Sequence, residues 1–291
     1  MKEFKSNVAL IGRVFYSRYS LFILNGFLLS ACIFMHMQDI YEFGIVRALA
    51  NNVKKEFGGY KSQDSLLLGS LRLTHYLEER RNRVFEEQEI DGMSDFIRPL
   101  TYDLMTAKGA CGSYSMVLGS ILHELGFKVR FAQMKVGEIW GGHIIIEAET
   151  DKGWAVLDPS FSLYFRKPDG NLASFRDVQQ NWNFYKQQLP PDYIHEYSYS
   201  DVRYTNWDKI PVLLPAVRGI SNLTIGKEAT NQLSLRVFFI RKYRILYYLA
   251  LSLYLYSWFK IVKRYTRKRT ATRRAIDPRM EARKQRIYKR A

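Results

Sequence analysis

Cysteine is nearly absent: 291 residues carry two, Cys32 in an apolar run and Cys111 in a polar region. That excludes a disulfide-stapled domain, because an extracytoplasmic region holding one Cys has no internal partner for it. Metal-ligand spacings, a glycine-rich phosphate loop and internal repeats are missing too, so no cofactor or metal is expected. Acidic residues are scarce at the chain ends. Residues 260–291 hold fourteen Lys/Arg against two acids, and residues 1–20 hold four against one. With these and the cluster Arg236, Arg241, Lys242 and Arg244 set aside, residues 21–235 are slightly acidic, although the whole chain carries +16. Basic charge that borders apolar segments is a mark of membrane topology, and no nucleic-acid partner is expected.

Aromatic residues are plentiful, with 20 Tyr and 18 Phe, and supply material for a core. Residues 19–37, YSLFILNGFLLSACIFMHM, form an apolar run near the minimum length for a spanning helix. Lys2, Lys5, Arg13 and Arg18 precede it, and Asp39 and Glu42 follow, which predicts a cytoplasmic N-terminus (residues 1–18) and an outward exit. Two other readings fit the same run. One is a cleaved signal peptide; the other takes Leu29-Ser30-Ala31-Cys32 as a lipobox with Cys32 lipidated. The uncleaved anchor is the leading reading. Residues 245–262, ILYYLALSLYLYSWFKIV, are the second candidate span, with Lys260 placed to snorkel and Tyr and Trp suited to the interface. The basic tail, residues 263–291, belongs beside anionic lipid on the cytoplasmic side. Residues 38–240 then lie outside the membrane, in the periplasm if the cell is Gram-negative. The basic cluster on the outer flank of the second span runs against this topology but is outweighed by the tail.

In residues 40–90, Ile45, Val46, Leu49 and Val53 recur at helical spacing, as do Leu67, Leu71, Thr74 and Leu77 after the Gly58-Gly59 break. The charged Glu78–Glu89 stretch reads as a solvated face. A helix is predicted from Ser113 to Leu125, capped by Ser113 or Gly112, ended by Gly126, with Met116, Val117, Ser120, Ile121 and Leu125 as its inner stripe. Cys111 then falls at a helix N-terminus, where the macrodipole favours thiolate over thiol. A strand follows at Phe127–Val136, then Gly141-Gly142, then strands at His143–Glu149 and Trp154–Asp158. With Asp151-Lys152 as the turn centre, paired residue numbers sum to 303. Ile145 then faces Asp158, and His143 is the diagonal neighbour of that carboxylate. A one-residue change of loop length would put the two on opposite faces. Residues 160–215 carry weak signals, a helix around 174–188 and the aromatic run PPDYIHEYSYSDVRY; they suit a cap or flank over the cleft.

Gly109-Ala110-Cys111 opening a helix, His123-Glu124-Leu125-Gly126-Phe127-Lys128-Val129-Arg130 leading into a strand, Gly142-His143, and Gly153-Trp154-Ala155-Val156-Leu157-Asp158-Pro159 occur in an order that resembles the transglutaminase-like superfamily. The likeness covers about residues 64–165. It implies an α+β, papain-like core in which the Cys-bearing helix packs on an antiparallel sheet, here between two transmembrane helices, with residues 166–236 as an aromatic-rich flank. It implies a Cys111, His143, Asp158 triad: Cys111 the nucleophile, His143 its proton partner, Asp158 the group that orients the ring. It also implies an oxyanion donor from an upstream helix, for which His75, Tyr76, Gln88 and Tyr102 are candidates. One departure is Ser113, where many members carry Asp soon after the Cys.

Blander readings stand beside these. Cys111 can be a small buried hydrophobe. His123 reads as a surface or packing residue; His36, His75 and His195 read as structural. Trp140 fits a cleft wall or a packed strand edge, and Trp154 fits the core. The expected function is a membrane-anchored thiol protease or amidase that cleaves, or transfers the acyl group of, a peptide or protein amide. The alternative is a non-catalytic envelope scaffold of the same fold that binds peptides.

Overall fold

The computed structural model describes residues 18–58, 62–81, 98–105 and 110–288. In chain order the helices before the sheet are α1 (Arg18–Phe57), α2 (Gln63–Arg81), α3 (Leu100–Met105) and α4 (Ala110–Glu124). Strands β1 (Lys128–Val136), β2 (Ile139–Thr150), β3 (Gly153–Asp158) and β4 (Leu163–Tyr164) follow, then α5 (Phe175–Gln180), α6 (Trp182–Tyr185) and a short 3-10 turn (Lys186–Gln188). The chain continues through β5 (Val202–Arg203), α7 (Leu213–Ile225), α8 (Lys227–Asn231), α9 (Val237–Ile240) and α10 (Lys242–Tyr288). It divides into two units: Met1–Asp39 with Tyr243–Ala291, and Ile40–Lys242.

In the first unit, two helices are long and apolar enough to cross a membrane, within Tyr19–Phe57 and Lys242–Arg267. Most of each span is exposed, with Phe22, Phe27, Ile33, Leu249, Leu253 and Phe259 facing outward. Three polar contacts pin the antiparallel pair. Asn25 donates to Ser257 Oγ at 2.6 Å, the His36 and Tyr247 rings lie 5.1 Å apart, and Arg244 pairs with Asp39 at 3.1 Å. Between apolar helices, such hydrogen bonds hold a pairing that a hydrophobic driving force cannot. Both helices outrun the expected spans. The 19–37 run lies inside a helix that continues to Phe57, because Val46, Ala50 and Val53 go on burying at helical spacing. The 245–262 run lies inside a helix that continues through the Arg/Lys/Ala-rich tail, whose residue types favour helix.

The second unit is α+β, built on an open antiparallel five-stranded sheet in the order β4-β3-β2-β1-β5. The β2–β3 hairpin pairs Thr150 with Gly153 through Ile146 with Leu157, the register expected for a turn centred on Asp151-Lys152. The period-two alternation of the strands sorts side chains onto two faces. On one, Val129, Phe131, Ile144, Ile146, Ala148, Ala155 and Leu157 pack against Leu118 and Leu122 of α4 and Leu67 and Leu71 of α2. On the other, Ala132, Met134, Ile145 and Val156 meet Phe165, Phe175, Tyr185, Tyr193, Tyr199 and Tyr204.

Several expectations are corrected here. Helix α4 starts at Ala110, so Cys111 sits within its first turn; Ser113 is no cap but a buried residue that donates to Asp103 at 2.9 Å. The helix is also enclosed more widely than one inner stripe. Leu118 and Leu122 face the sheet, while Val117 and Ile121 pack with Val46, Ala50 and Val53 of α1 and Leu100 of α3. Gly141-Gly142 is no break between strands, since both lie within β2. Glu78 is fully buried rather than on a solvated face, and residues 82–97, including Gln88 and most of the Glu78–Glu89 run, lie outside the described residues. Trp154 is half-buried with the Arg130 guanidinium 4.0 Å over its ring, which places it at the rim of the core. The helix expected around 174–188 is three short pieces. Ser174 opens α5 with a capping box to Asp177, and Asn181, off the helical backbone, interrupts it.

Candidate active site

A two-residue bulge sets the position of His143. Register along β1–β2 runs evenly from Lys128 opposite Glu149 to Met134 opposite His143, then jumps to Lys135 opposite Trp140. Gly141 and Gly142 are the surplus. Gly141 has φ +78°, a left-handed conformation that side chains resist, and a Cβ on Gly142 would lie 2.8 Å from Val136 Cβ. The bulge ends at His143, which is 1% exposed on the aromatic face of the sheet.

Asp158 ends β3 on the same face. His143 Nε2–H donates to Asp158 Oδ2 at 2.7 Å, and the Ser160 N–H donates to Oδ1 at 3.1 Å, so both carboxylate oxygens are satisfied although the side chain is buried. Buried carboxylates require this, since an unpaired one costs several kcal/mol. With Nε2 committed to Asp158, the buried Nδ1 has no hydrogen-bond partner among the described residues, and the Cys111 thiol lies near enough to couple electrostatically to the ring.

Cys111 comes from the opposite side of the sheet. It is half-buried and packs against the aliphatic cluster under α4. Two side-chain bonds fix that end of the helix. Ser115, one turn after Cys111, donates to the Ile144 carbonyl at 2.7 Å, locking α4 to the residue beside His143. Ser113 donates to Asp103 of α3, which in turn pairs with Arg98 at 3.0 Å. The three predicted residues are therefore brought together: Cys111 by the helix start, His143 by the bulge, Asp158 by the hairpin register.

The electrostatics favour a charge pair. Burial opposes ionisation of Cys111, but the neighbouring His143 ring and its charge, with a smaller contribution from the Ile144 backbone, outweigh it and bring the thiol below its usual pKa. For His143, burial works against the charged ring, yet the charge and hydrogen bond of Asp158, followed by those of Cys111, lift it to about 9. Both shifts favour the charged pair, a thiolate beside an imidazolium, over the neutral one.

The roof over the His143 ring comes from the aromatic stretch 160–215 that suited a cap or flank over the cleft, though no particular residue of it was singled out. Tyr197 stacks on the His143 ring with centroids 4.2 Å apart and planes at 12°, and Phe161 flanks the ring at 6.1 Å. Tyr193 lies 4.7 Å from Phe161, and its hydroxyl donates to the Tyr197 carbonyl at 3.4 Å. Of the proposed oxyanion donors, His75 is held by the Pro159 carbonyl at 3.1 Å and by Glu79 at 3.8 Å; Tyr76 is 51% exposed; Tyr102 lies 5.7 Å from the Arg98 guanidinium. His123 and His195 are exposed, His36 belongs to the apolar helix pair, and Trp140 sits at the strand edge 5.2 Å from the Arg203 guanidinium. Among the described residues no cluster of His, Cys, Asp and Glu suits a metal ion. Comparison with protein-family models, with curated proteins and with solved structures returns no match for this chain.

Proposed function

We propose that this protein is a membrane-anchored, transglutaminase-like thiol enzyme with a papain-like core, acting on peptide or protein amides outside the cytoplasmic membrane. The observation that carries the proposal is the coupled Cys111, His143, Asp158 arrangement, with the thiol pKa lowered and the imidazole raised. The membrane part is supported by the two apolar helices, and the sidedness by the basic residues before the first and after the second.

In the proposed cycle the Cys111 thiolate attacks the amide carbonyl carbon, and the carbonyl π electrons move onto oxygen, which first-turn N–H groups of α4 stabilise. The tetrahedral intermediate collapses, the C–N bond breaks, and the His143 imidazolium gives its proton to the leaving amine. Neutral His143 then takes a proton from water as its oxygen attacks the thioester. The acid is released and the thiolate–imidazolium pair returns. Asp158 keeps Nε2–H engaged throughout, so Nδ1 always faces the sulfur. Hydrolysis is preferred over transfer to an amine, because water is abundant outside the membrane and no acceptor-amine site stands out.

The test is intact mass spectrometry of the full chain in detergent after incubation with envelope-derived peptides. The enzyme reading predicts an acyl adduct on Cys111 that disappears with Cys111→Ser and forms far more slowly with His143→Ala, which removes the proton donor to the leaving amine. Peptide binding without any adduct would favour the scaffold.

A further inference from the structure

We infer that the outward face of α7 lies in the lipid–water interface of the membrane that anchors this chain, as a surface-bound helix in addition to the two spans. The inference rests on reading those two apolar helices as spans. No residue of α7 is buried. Its half-buried positions, Leu214, Val217, Ser221 and Asn222, share one side of the helix. On the other side Leu213, Ile220 and Leu223 are 58%, 63% and 89% exposed, with Ala216 between them and Val212, at 83%, just before the first turn. These positions fall at helical spacing and form one stripe. An amphipathic helix on a water-soluble surface turns its apolar stripe inward; this one turns it outward. Arg218 is the sole charged side chain in the helix.

Chain continuity names the occupant. Only residues 226–241 separate α7 from α10, the second span-forming helix. They include two further short helices and Phe238, itself 60% exposed. Even fully extended, that connection reaches no more than about 55 Å, and helix shortens it. The junction carries Arg236, Arg241, Lys242 and Arg244. Arg241 and Arg244 pair with Glu124 and Asp39, each at 3.1 Å, and basic side chains beside a span also suit anionic headgroups. A second copy of the chain is the competing occupant, but a helix of this length offers a strip about 20 Å by 10 Å. That is far below the roughly 800 Å² per partner of a stable protein interface.

The test uses the full chain carrying Cys32→Ser and Cys111→Ser, with single cysteines introduced as Leu213→Cys, Arg218→Cys, Ile220→Cys or Leu223→Cys and labelled with a nitroxide. Phe27→Cys and Leu253→Cys serve as controls in the spans. In phosphatidylethanolamine–phosphatidylglycerol vesicles, labels at 213, 220 and 223 are expected to lose collisions with a water-soluble nickel chelate and gain collisions with oxygen, while the label at 218 keeps both. A chelate-accessible label at 223, with 27 and 253 shielded, overturns the inference and leaves the spans intact. Spin–spin broadening at 223 overturns it in favour of a second copy. Chelate access at 27 and 253 removes the membrane reading itself, and the inference with it.

Discussion

One face of the central sheet packs Leu118, Leu122, Phe131, Ile146 and Leu157 together with no ionisable side chain among them; the other buries His143, Glu147 and Asp158 among Phe165, Phe175 and four tyrosines. The strands are shared, so the difference lies in what each face can offer a buried charge. Aliphatic groups offer nothing. Burial raises the pKa of Tyr193, Tyr199 and Tyr204, so these phenols stay protonated and able to donate. Tyr204 donates to Glu147 at 2.6 Å, beside the Arg130 ion pair at 2.9 Å and the Phe175 N–H at 2.9 Å. Tyr197 gives His143 a ring to stack on. The ionic half of the candidate site thus occupies the face that can satisfy it, and the thiol reaches it from the face that cannot.

The largest expected break in that comparison is His143→Ala. It should lower amide turnover by roughly 10³–10⁴, the range for loss of a positioned acid–base group, measured as single-turnover acylation of Cys111. Next comes the contrast between one deletion on each face. Glu147→Ala takes the carboxylate from a mostly buried Arg130, leaving it Gln232 and the Trp154 and Tyr204 rings, and should cost up to about 3–5 kcal/mol, whereas Leu118→Ala opens a cavity and should cost about 2–5 kcal/mol. Denaturant midpoints in detergent measure both. Adding Arg130→Met should recover part of the Glu147 loss, while no charge change elsewhere repairs Leu118→Ala.

The pH dependence sharpens the comparison further. His143, at about 9 in the folded chain against 6.5 ordinarily, contributes stability that is complete below 6.5 and lost as pH rises through 9. Cys111, lowered from 9.0, contributes in the opposite sense: its stabilisation is complete above 9.0 and lost as pH falls through its folded value. From the folded value of Cys111 up to about 9 the two slopes oppose each other. The melting temperature of the wild type should therefore fall less with rising pH there than that of Cys111→Ser. The smallest effect is expected at Tyr197. Tyr197→Ala should cost about 0.5–1.5 kcal/mol of ring stacking and shift the acid limb of the activity profile, and Tyr197→Phe should restore both.

How much of this was legible follows the range of the contacts involved. The hairpin register could be read because the Thr150–Gly153 turn and the period-two pattern are local, and with them came the His143–Asp158 pairing. The helix bearing Cys111 was legible for the same reason. Tyr197 was not, because its contact with His143 joins segments 54 residues apart and nothing near residue 197 marks which tyrosine stacks. Glu78 was misjudged from its charged neighbours, since composition does not say which side of a helix turns inward. The wide enclosure of α4 arises from α1 packing on its far side, a tertiary contact that one stripe of apolar residues does not reveal.

The most direct test of the central claim is the pH dependence of Cys111 alkylation in the full chain carrying Cys32→Ser. A thiolate held by imidazolium predicts an inflection below the ordinary thiol value of 9.0, moving back toward that value in His143→Ala. An inflection at the ordinary value in both proteins would contradict the account.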